Sequence, residues 1–138
     1  MAIQNIFVVG AGLMGSGIAQ TAMTSGYHVI LNDQRQETLE RAQMGIESRL
    51  KHMVEKGTMS EEEFQDCMGR LKIDTRLSAA READLVVEAI FENLEAKQAV
   101  FRQLEEICPD HTIFASNTSS ISLTALAAAT KRPSRVVG

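Results

Sequence analysis

The chain has 138 residues, a length that suits one compact domain and allows enough burial to fold without a disulfide or a metal ion. Its 44% apolar and 23% charged residues are ordinary for a globular protein and exclude disordered and collagen-like classes. Fourteen basic against eighteen acidic residues give a net charge of −4, so we expect no nucleic acid partner.

Short apolar runs alternate with helical stripes through the first half of the chain. The apolar run 6–9 predicts a strand buried on both faces, and Gly26 ends the helix that follows it. Ser60 begins a capping-box pattern that starts a short helix. The predicted elements are, in order, a strand over 6–9, a helix over 13–24, a strand over 27–31, a helix over 36–56 and a helix over 60–68.

The same alternation continues in the second half. The predicted elements are a strand over 71–73, a short helix or turn over 77–82, a strand over 85–90, a helix over 94–108, a strand over 112–115, a helix over 122–129 and a strand over 135–137. Strands that alternate with helices predict right-handed crossovers and a parallel sheet. We therefore expect residues 1–138 to form one α/β domain of the Rossmann type, with a doubly wound, mostly parallel sheet and helices on both faces.

A glycine-rich loop directly follows the first predicted strand. Its residues are Gly10, Ala11, Gly12, Leu13, Met14 and Gly15, which form a G-x-G-x-x-G pattern. The pattern becomes informative here because a strand precedes it and a helix follows it. The first glycine allows a tight turn, the second lets the backbone approach a diphosphate, and the third lets helix and strand pack closely. The helix N-terminus would then face the phosphates; the alternative is a glycine turn that binds nothing.

An acidic residue at the end of the second strand completes this pattern. Asp33 can accept hydrogen bonds from both hydroxyls of an adenosine ribose. Its charge repels a 2′-phosphate, so the sequence favours NAD over NADP as the cofactor. Arg35 keeps NADP open as an alternative, because a guanidinium can pair with phosphate.

Two later segments carry a more specific signal than the glycine loop. Residues 86–93 read Val-Val-Glu-Ala-Ile-Phe-Glu-Asn, and residues 116–120 read Ser-Asn-Thr-Ser-Ser. With the loop and Asp33, they resemble the NAD-binding domain of the short-chain 3-hydroxyacyl-CoA dehydrogenases, in particular the bacterial 3-hydroxybutyryl-CoA type. The resemblance covers essentially the whole chain. It implies an NAD-dependent oxidoreductase of fatty acid and butyrate metabolism that converts a 3-hydroxyacyl-CoA reversibly to a 3-oxoacyl-CoA.

The resemblance also implies roles for individual residues. Ser119 would be catalytic and would contact both cofactor and substrate by hydrogen bonding to the reacting oxygen. Glu92 and Lys97 would lie on the nicotinamide side of the cofactor. Lys56 matches a contact to the CoA part of the substrate, and Arg49 stands at a second such position.

The family's general acid/base His, its partner Glu and a helical dimerisation domain follow the segment that matches 136–138. We therefore expect this chain to be the cofactor-binding part of an enzyme, to be inactive alone, and to belong to a parent enzyme that is a homodimer.

Each of these residues has a second interpretation that needs no ligand. Ser119 belongs to a polar cluster that could cap the helix predicted near residue 122, and Glu92 suits the first turn of a helix. Lys97 would otherwise be a surface lysine on the exposed side of its helix, and Lys56 would belong to a solvated helix face. Glu88 stands in an apolar strand, so it needs a partner or a place near the strand end.

Rival functions remain open at this point. A related β-hydroxyacid or sugar-nucleotide dehydrogenase also begins with a glycine loop, and a non-catalytic NAD-binding module would need no second domain. No histidine lies close to the serine cluster, which disfavours a hydrolase. The two cysteines form no CxxC pair and the histidines lack metal-ligand spacing, so no metal is expected. Without a signal peptide or a long apolar run, we expect a cytoplasmic location and no membrane partner.

Overall fold

The computed structural model describes residues 3–90, 94–116 and 136–137. Its elements follow the predicted alternation closely, and the helix predicted over 122–129 lies outside the described residues. In chain order they are β1 (Asn5–Val9), α1 (Leu13–Thr24), β2 (His28–Asn32), α2 (Gln36–Glu55), α3 (Glu61–Arg70), β3 (Leu71–Asp74), a 3-10 helix (Leu77–Glu82), β4 (Leu85–Glu88), α4 (Leu94–Ile107), β5 (Ile113–Ser116) and β6 (Val136–Val137).

The six strands form one parallel sheet in the order β3-β2-β1-β4-β5-β6. Val9, at the end of β1, is in register with Asn32 of β2 and with Glu88 of β4. The carboxyl ends of the central strands therefore share one edge of the sheet. The strand order reverses between β1 and β4, and ligands of open α/β sheets bind outside the carboxyl ends at such a switch point. The predicted Rossmann-type fold is confirmed.

Two hydrophobic cores lie on the two faces of this sheet. Alternate residues of β1 point to opposite faces: Ile6 and Val8 join the core beneath α1 and α2, whereas Phe7 and Val9 join the core beneath α4. This arrangement explains why the run 6–9 is apolar throughout. Both cores hold the carboxyl edge of the sheet rigidly in place.

The fourth strand is shorter than predicted, since it ends at Glu88 and not at residue 90. The amide of Ala89 still donates to the carbonyl of Val9 at 2.8 Å. The next amide, that of Ile90, donates to the Glu88 carboxylate at 2.7 Å. A side chain therefore takes the hydrogen bond that a longer strand would have given to a neighbour.

Across the described ranges, no helix has the length and apolar character needed to cross a bilayer.

Candidate functional site

Two glycines of the loop are required by close backbone packing. Gly10 has φ +104°, and its amide donates to the carbonyl of Asn32 at 2.7 Å. A Cβ atom at Gly10 would lie 2.6 Å from the carbonyl oxygen of Ala89, and one at Gly15 would lie 1.7 Å from the carbonyl oxygen of Gly10. Contacts this short exclude any side chain at either position. The loop therefore lies directly against the end of β4 and the start of α1.

Gly12 is in the opposite situation. It has an ordinary φ of −73°, and among the residues that the structure describes, its own chain neighbours aside, none has an atom within 4 Å of the place where its Cβ would stand. It caps α1 without a side-chain hydrogen bond, and the first turn of α1 has no acidic residue. The amides and the positive end of the helix dipole thus face an open space that a Cβ would fill. This geometry fits the diphosphate of a dinucleotide.

Two exposed apolar side chains flank this space. Leu13 is 93% exposed and Met14 is 53% exposed. Both residues belong to the predicted cofactor loop, and both open α1 at the carboxyl edge. The exposed side chain of Leu13 therefore lies next to the space beside Gly12.

Asp33 lies beside the loop, immediately after β2. Its Oδ2 accepts a hydrogen bond from the amide of Ala11 at 3.0 Å, and its Oδ1 accepts one from the amide of Arg35 at 3.1 Å. A carboxylate has about four acceptor positions, so roughly two stay available for ribose hydroxyls. The structure thus brings Asp33 and the glycine loop together at one edge, as the cofactor hypothesis requires.

The expectation that Lys97 lies on the exposed side of its helix is wrong. Its side chain is only 1% exposed, and its Nζ lies 3.1 Å from Oε1 of Glu88, which is fully buried. An ammonium group leaves water only where an anion compensates for the lost hydration. Lys97 in the first turn of α4 is therefore the partner that Glu88 needs.

Ser116 completes this buried cluster. It is the last residue of β5, it is 4% exposed, and its Oγ donates to Oε1 of Glu88 at 2.6 Å. Neither Glu88 nor Ser116 is among the site residues that the sequence predicts. The signal that could have located them is the acid in the apolar run 85–90, because a buried carboxylate demands donors at neighbouring strand ends.

The two residues expected to contact CoA differ in their surroundings. Arg49 donates from Nε to Oε1 of Gln20 at 2.6 Å and from Nη2 to Oγ of Ser16 at 3.3 Å, so its guanidinium lies against α1. Lys56 is exposed directly after α2. Lys56 stands seven positions after Arg49 in the sequence, just beyond the end of α2.

Two expected site residues, Glu92 and Ser119, lie outside the described residues. They follow Glu88 of β4 and Ser116 of β5 by four and three positions in the sequence. In the described part of the chain, no group of three His, Cys, Asp or Glu side chains is placed to bind a metal ion.

Asp84, a further carboxylate with several hydrogen-bond partners, lies just before β4 and away from the glycine loop. Oδ2 of Asp84 accepts hydrogen bonds from the amides of Asn5 and Gln4, each at 2.9 Å, and its Oδ1 lies 2.9 Å from Nε2 of His111. The two backbone amides, with a smaller contribution from His111, hold the pKa of Asp84 below its ordinary value, although burial opposes the shift. Asp84 therefore joins the start of β1 to the segment before β5.

Known proteins match this chain along nearly its whole length. Residues 5–138 match the model of the family described as "3-hydroxyacyl-CoA dehydrogenase, NAD binding domain". A probable 3-hydroxybutyryl-CoA dehydrogenase of Bacillus subtilis is 46% identical over all 138 residues, which cover 48% of that protein. A 3-hydroxyadipyl-CoA dehydrogenase of Escherichia coli is 46% identical over 136 residues, which make up 99% of this chain and 29% of that protein.

Solved structures agree with these relatives. The crystal structure of 3-hydroxybutyryl-CoA dehydrogenase from Escherichia coli superimposes with a TM-score of 0.95 at 45% identity, covering 99% of this chain and 29% of that one. The chain thus spans about half, or less, of the length of the relatives it matches. The family match, the glycine loop and the position of Asp33 lead to one conclusion: the chain belongs to the NAD-binding domain family of the 3-hydroxyacyl-CoA dehydrogenases.

Proposed function

We propose that this chain is the cofactor-binding part of an enzyme that reversibly oxidises a 3-hydroxyacyl-CoA, of the 3-hydroxybutyryl type, to a 3-oxoacyl-CoA. The observation that carries the proposal is the open space at Gly12, with Asp33 held beside it by the amide of Ala11. The relatives' names, which describe dehydrogenases acting on 3-hydroxybutyryl-CoA and 3-hydroxyadipyl-CoA, support the substrate class.

The residues of the loop would bind and orient the cofactor. Backbone amides at the start of α1 would hold the diphosphate beside Gly12, and Asp33 would accept hydrogen bonds from the adenosine ribose. NAD supplies the hydride acceptor when it is bound. Bound in this way at the switch point, the cofactor would have its nicotinamide half over the β4–β5 side of the sheet.

Contacts to the substrate or to the cofactor are proposed for four further residues. Ser119 would hydrogen-bond to the reacting oxygen and to the cofactor, and Glu92 would lie at the nicotinamide. Lys56 is exposed, as a contact to CoA phosphates requires. Arg49 is the weaker second CoA contact, because two of its nitrogen atoms already donate to Gln20 and Ser16.

Proton transfer is assigned to a part of the enzyme that these 138 residues do not include. The resemblance places a His and Glu pair, and the dimerisation surface, in a helical domain that follows the segment matching 136–138. We also propose a cytoplasmic location, which is supported by the lack of a disulfide between the chain's two cysteines, Cys67 and Cys108.

A titration and a turnover assay test the proposal together. The purified 138-residue chain should quench or shift NADH fluorescence on binding, and it should consume almost no NADH when acetoacetyl-CoA is added. Addition of the helical domain to the same chain should restore turnover. Failure to bind NADH would refute the cofactor site, whereas rapid turnover by the short chain would refute the assignment of proton transfer to the other domain.

A further inference from the structure

We propose that Glu88, Lys97 and Ser116 form a buried polar cluster that positions the surface beneath the nicotinamide half of the cofactor. The inference rests on the proposed function and extends it to Glu88 and Ser116, two residues that lie beneath the expected cofactor contacts and would not themselves touch the ligand. The surface in question consists of Ala89 and Ile90, which directly follow β4 at the carboxyl edge of the sheet.

One carboxylate connects three elements in this cluster. Oε1 of Glu88 accepts from Ser116 Oγ at 2.6 Å and lies 3.1 Å from Nζ of Lys97, while its Oε2 accepts from the amide of Ile90 at 2.7 Å. The ends of β4 and β5 are thereby joined to each other and to the first turn of α4. All three side chains are at least nineteen-twentieths buried, since their exposed fractions are 0%, 1% and 4%.

The strand order places this cluster on the nicotinamide side. The order β3-β2-β1-β4-β5-β6 reverses between β1 and β4, and a dinucleotide lies across such a switch point. Asp33 follows β2, so the adenosine half lies over β2 and β1. The other half must then lie over β4 and β5, whose last residues are Glu88 and Ser116.

Stability alone does not account for a charged cluster at this place. Removing two charges from water is costly, and apolar side chains of similar volume often give a fold that is at least as stable. What an ion pair with directed hydrogen bonds adds is a fixed geometry. Here the geometry it fixes is that of Ala89 and Ile90, which remain half-buried at the carboxyl edge.

The glycine loop packs against this surface, so the cluster also supports the position of the loop. The carbonyl oxygen of Ala89 lies 2.6 Å from where a Cβ of Gly10 would stand, so the end of β4 and the glycine loop are in direct contact. A variant that spares the hydrogen bond between Glu88 and Ile90 should leave the loop in place. Ser116→Ala is such a variant, because it removes only the link from β5.

The test compares two ligands and two matched variants. NADH contains both halves of the cofactor, whereas ADP contains only the half assigned to Asp33 and the loop. The matched control for Ser116→Ala is Thr112→Val, at the position just before β5. The hydroxyl of Thr112 is buried, and like that of Ser116 it donates a hydrogen bond of 2.6 Å, here to the carbonyl of Ala83. Affinities for both ligands are measured by calorimetry on the 138-residue chain, after thermal unfolding has confirmed that each variant is folded.

Ser116→Ala should weaken NADH binding about tenfold and leave ADP binding unchanged, and Thr112→Val should change neither affinity. Glu88→Gln, which keeps the side-chain volume but removes the charge, should show the same split; if it does not fold, Ser116→Ala decides alone. Equal affinities in wild type and Ser116→Ala, or an equal loss for NADH and ADP, would overturn the positioning role. A wild-type chain that binds neither ligand would refute the proposed function itself, and this inference with it.

Discussion

Three glycine-to-alanine variants separate ligand binding from folding at the glycine loop. Gly12→Ala should bind NADH at least about tenfold more weakly, because a methyl group in the open space lengthens charge-assisted hydrogen bonds worth about 1.5–3 kcal/mol each. Its stability should stay within about 1 kcal/mol of wild type, since no atom lies within 4 Å and a poorer cap is offset by a less flexible unfolded chain.

Gly15→Ala should lose more stability than affinity for NADH, the reverse of Gly12→Ala. Its Cβ would lie 1.7 Å from the carbonyl oxygen of Gly10. Such a contact is normally about 3.5 Å, so α1 and the loop must separate by roughly 2 Å. Overpacking on this scale costs about 3 kcal/mol. Gly17→Ala is the control, because Gly17 is exposed within α1 and has no atom within 4 Å of its Cβ position; it should gain up to about 1 kcal/mol and bind NADH normally.

Urea unfolding and fluorescence titration of the three variants provide the measurements. If Gly12→Ala binds NADH like wild type, the diphosphate does not lie against that glycine. If it unfolds as readily as Gly15→Ala, the space beside it is not open.

Three further predictions follow from individual contacts. Asp33→Ala should weaken NADH binding by about 1–3 kcal/mol, because the ribose loses its charged acceptor; an unchanged affinity in the titration would remove Asp33 from the site. Lys97→Met should lower the free energy of unfolding by about 3–5 kcal/mol, because Glu88 keeps a buried charge without its cation; the double variant with Glu88→Gln should recover most of this loss in urea unfolding, and no recovery would contradict the ion pair. The lowered pKa of Asp84 means that its contribution to stability is present above the unfolded-state value of about 3.9 and disappears as the pH falls through the lower folded-state value. The free energy of unfolding, measured with urea at neutral pH and again below the folded-state pKa of Asp84, should therefore fall less for Asp84→Asn than for wild type. Equal losses would exclude Asp84 as a source of the pH dependence.

Sequence reasoning succeeded where the deciding physics is local. The glycine loop, the run 6–9 and the capping box at Ser60 each depend on neighbours within a few residues; the structure shows the expected strand, and the Ser60 hydroxyl accepts from the amide of Glu63 at 3.0 Å. The position of Asp33 beside the loop followed from parallel strand order, which is almost as predictable.

Sequence reasoning failed where contacts between distant residues decide whether a side chain is buried. Whether Lys97 is exposed depends on the carboxylate of Glu88 and the hydroxyl of Ser116, which come from two different strands and are brought together only by the sheet register. The hydrogen bond from Arg49 to Gln20, 29 residues away, is likewise not visible in the sequence pattern, while the expected CoA contact of Arg49 stays a prediction. Periodicity identifies a helix face, but it does not reveal a polar partner beneath that face.

The carboxylate of Asp33 holds the Ala11 amide in place, and in the proposed function the same carboxylate would also accept hydrogen bonds from the ribose. Selectivity for the cofactor and the shape of the phosphate loop would then depend on a single side chain. Redesign of this protein toward a phosphorylated ribose therefore cannot simply delete the negative charge. The replacement must keep one short acceptor for that amide, as Asn or Ser can, or the loop will lose its conformation together with its preference.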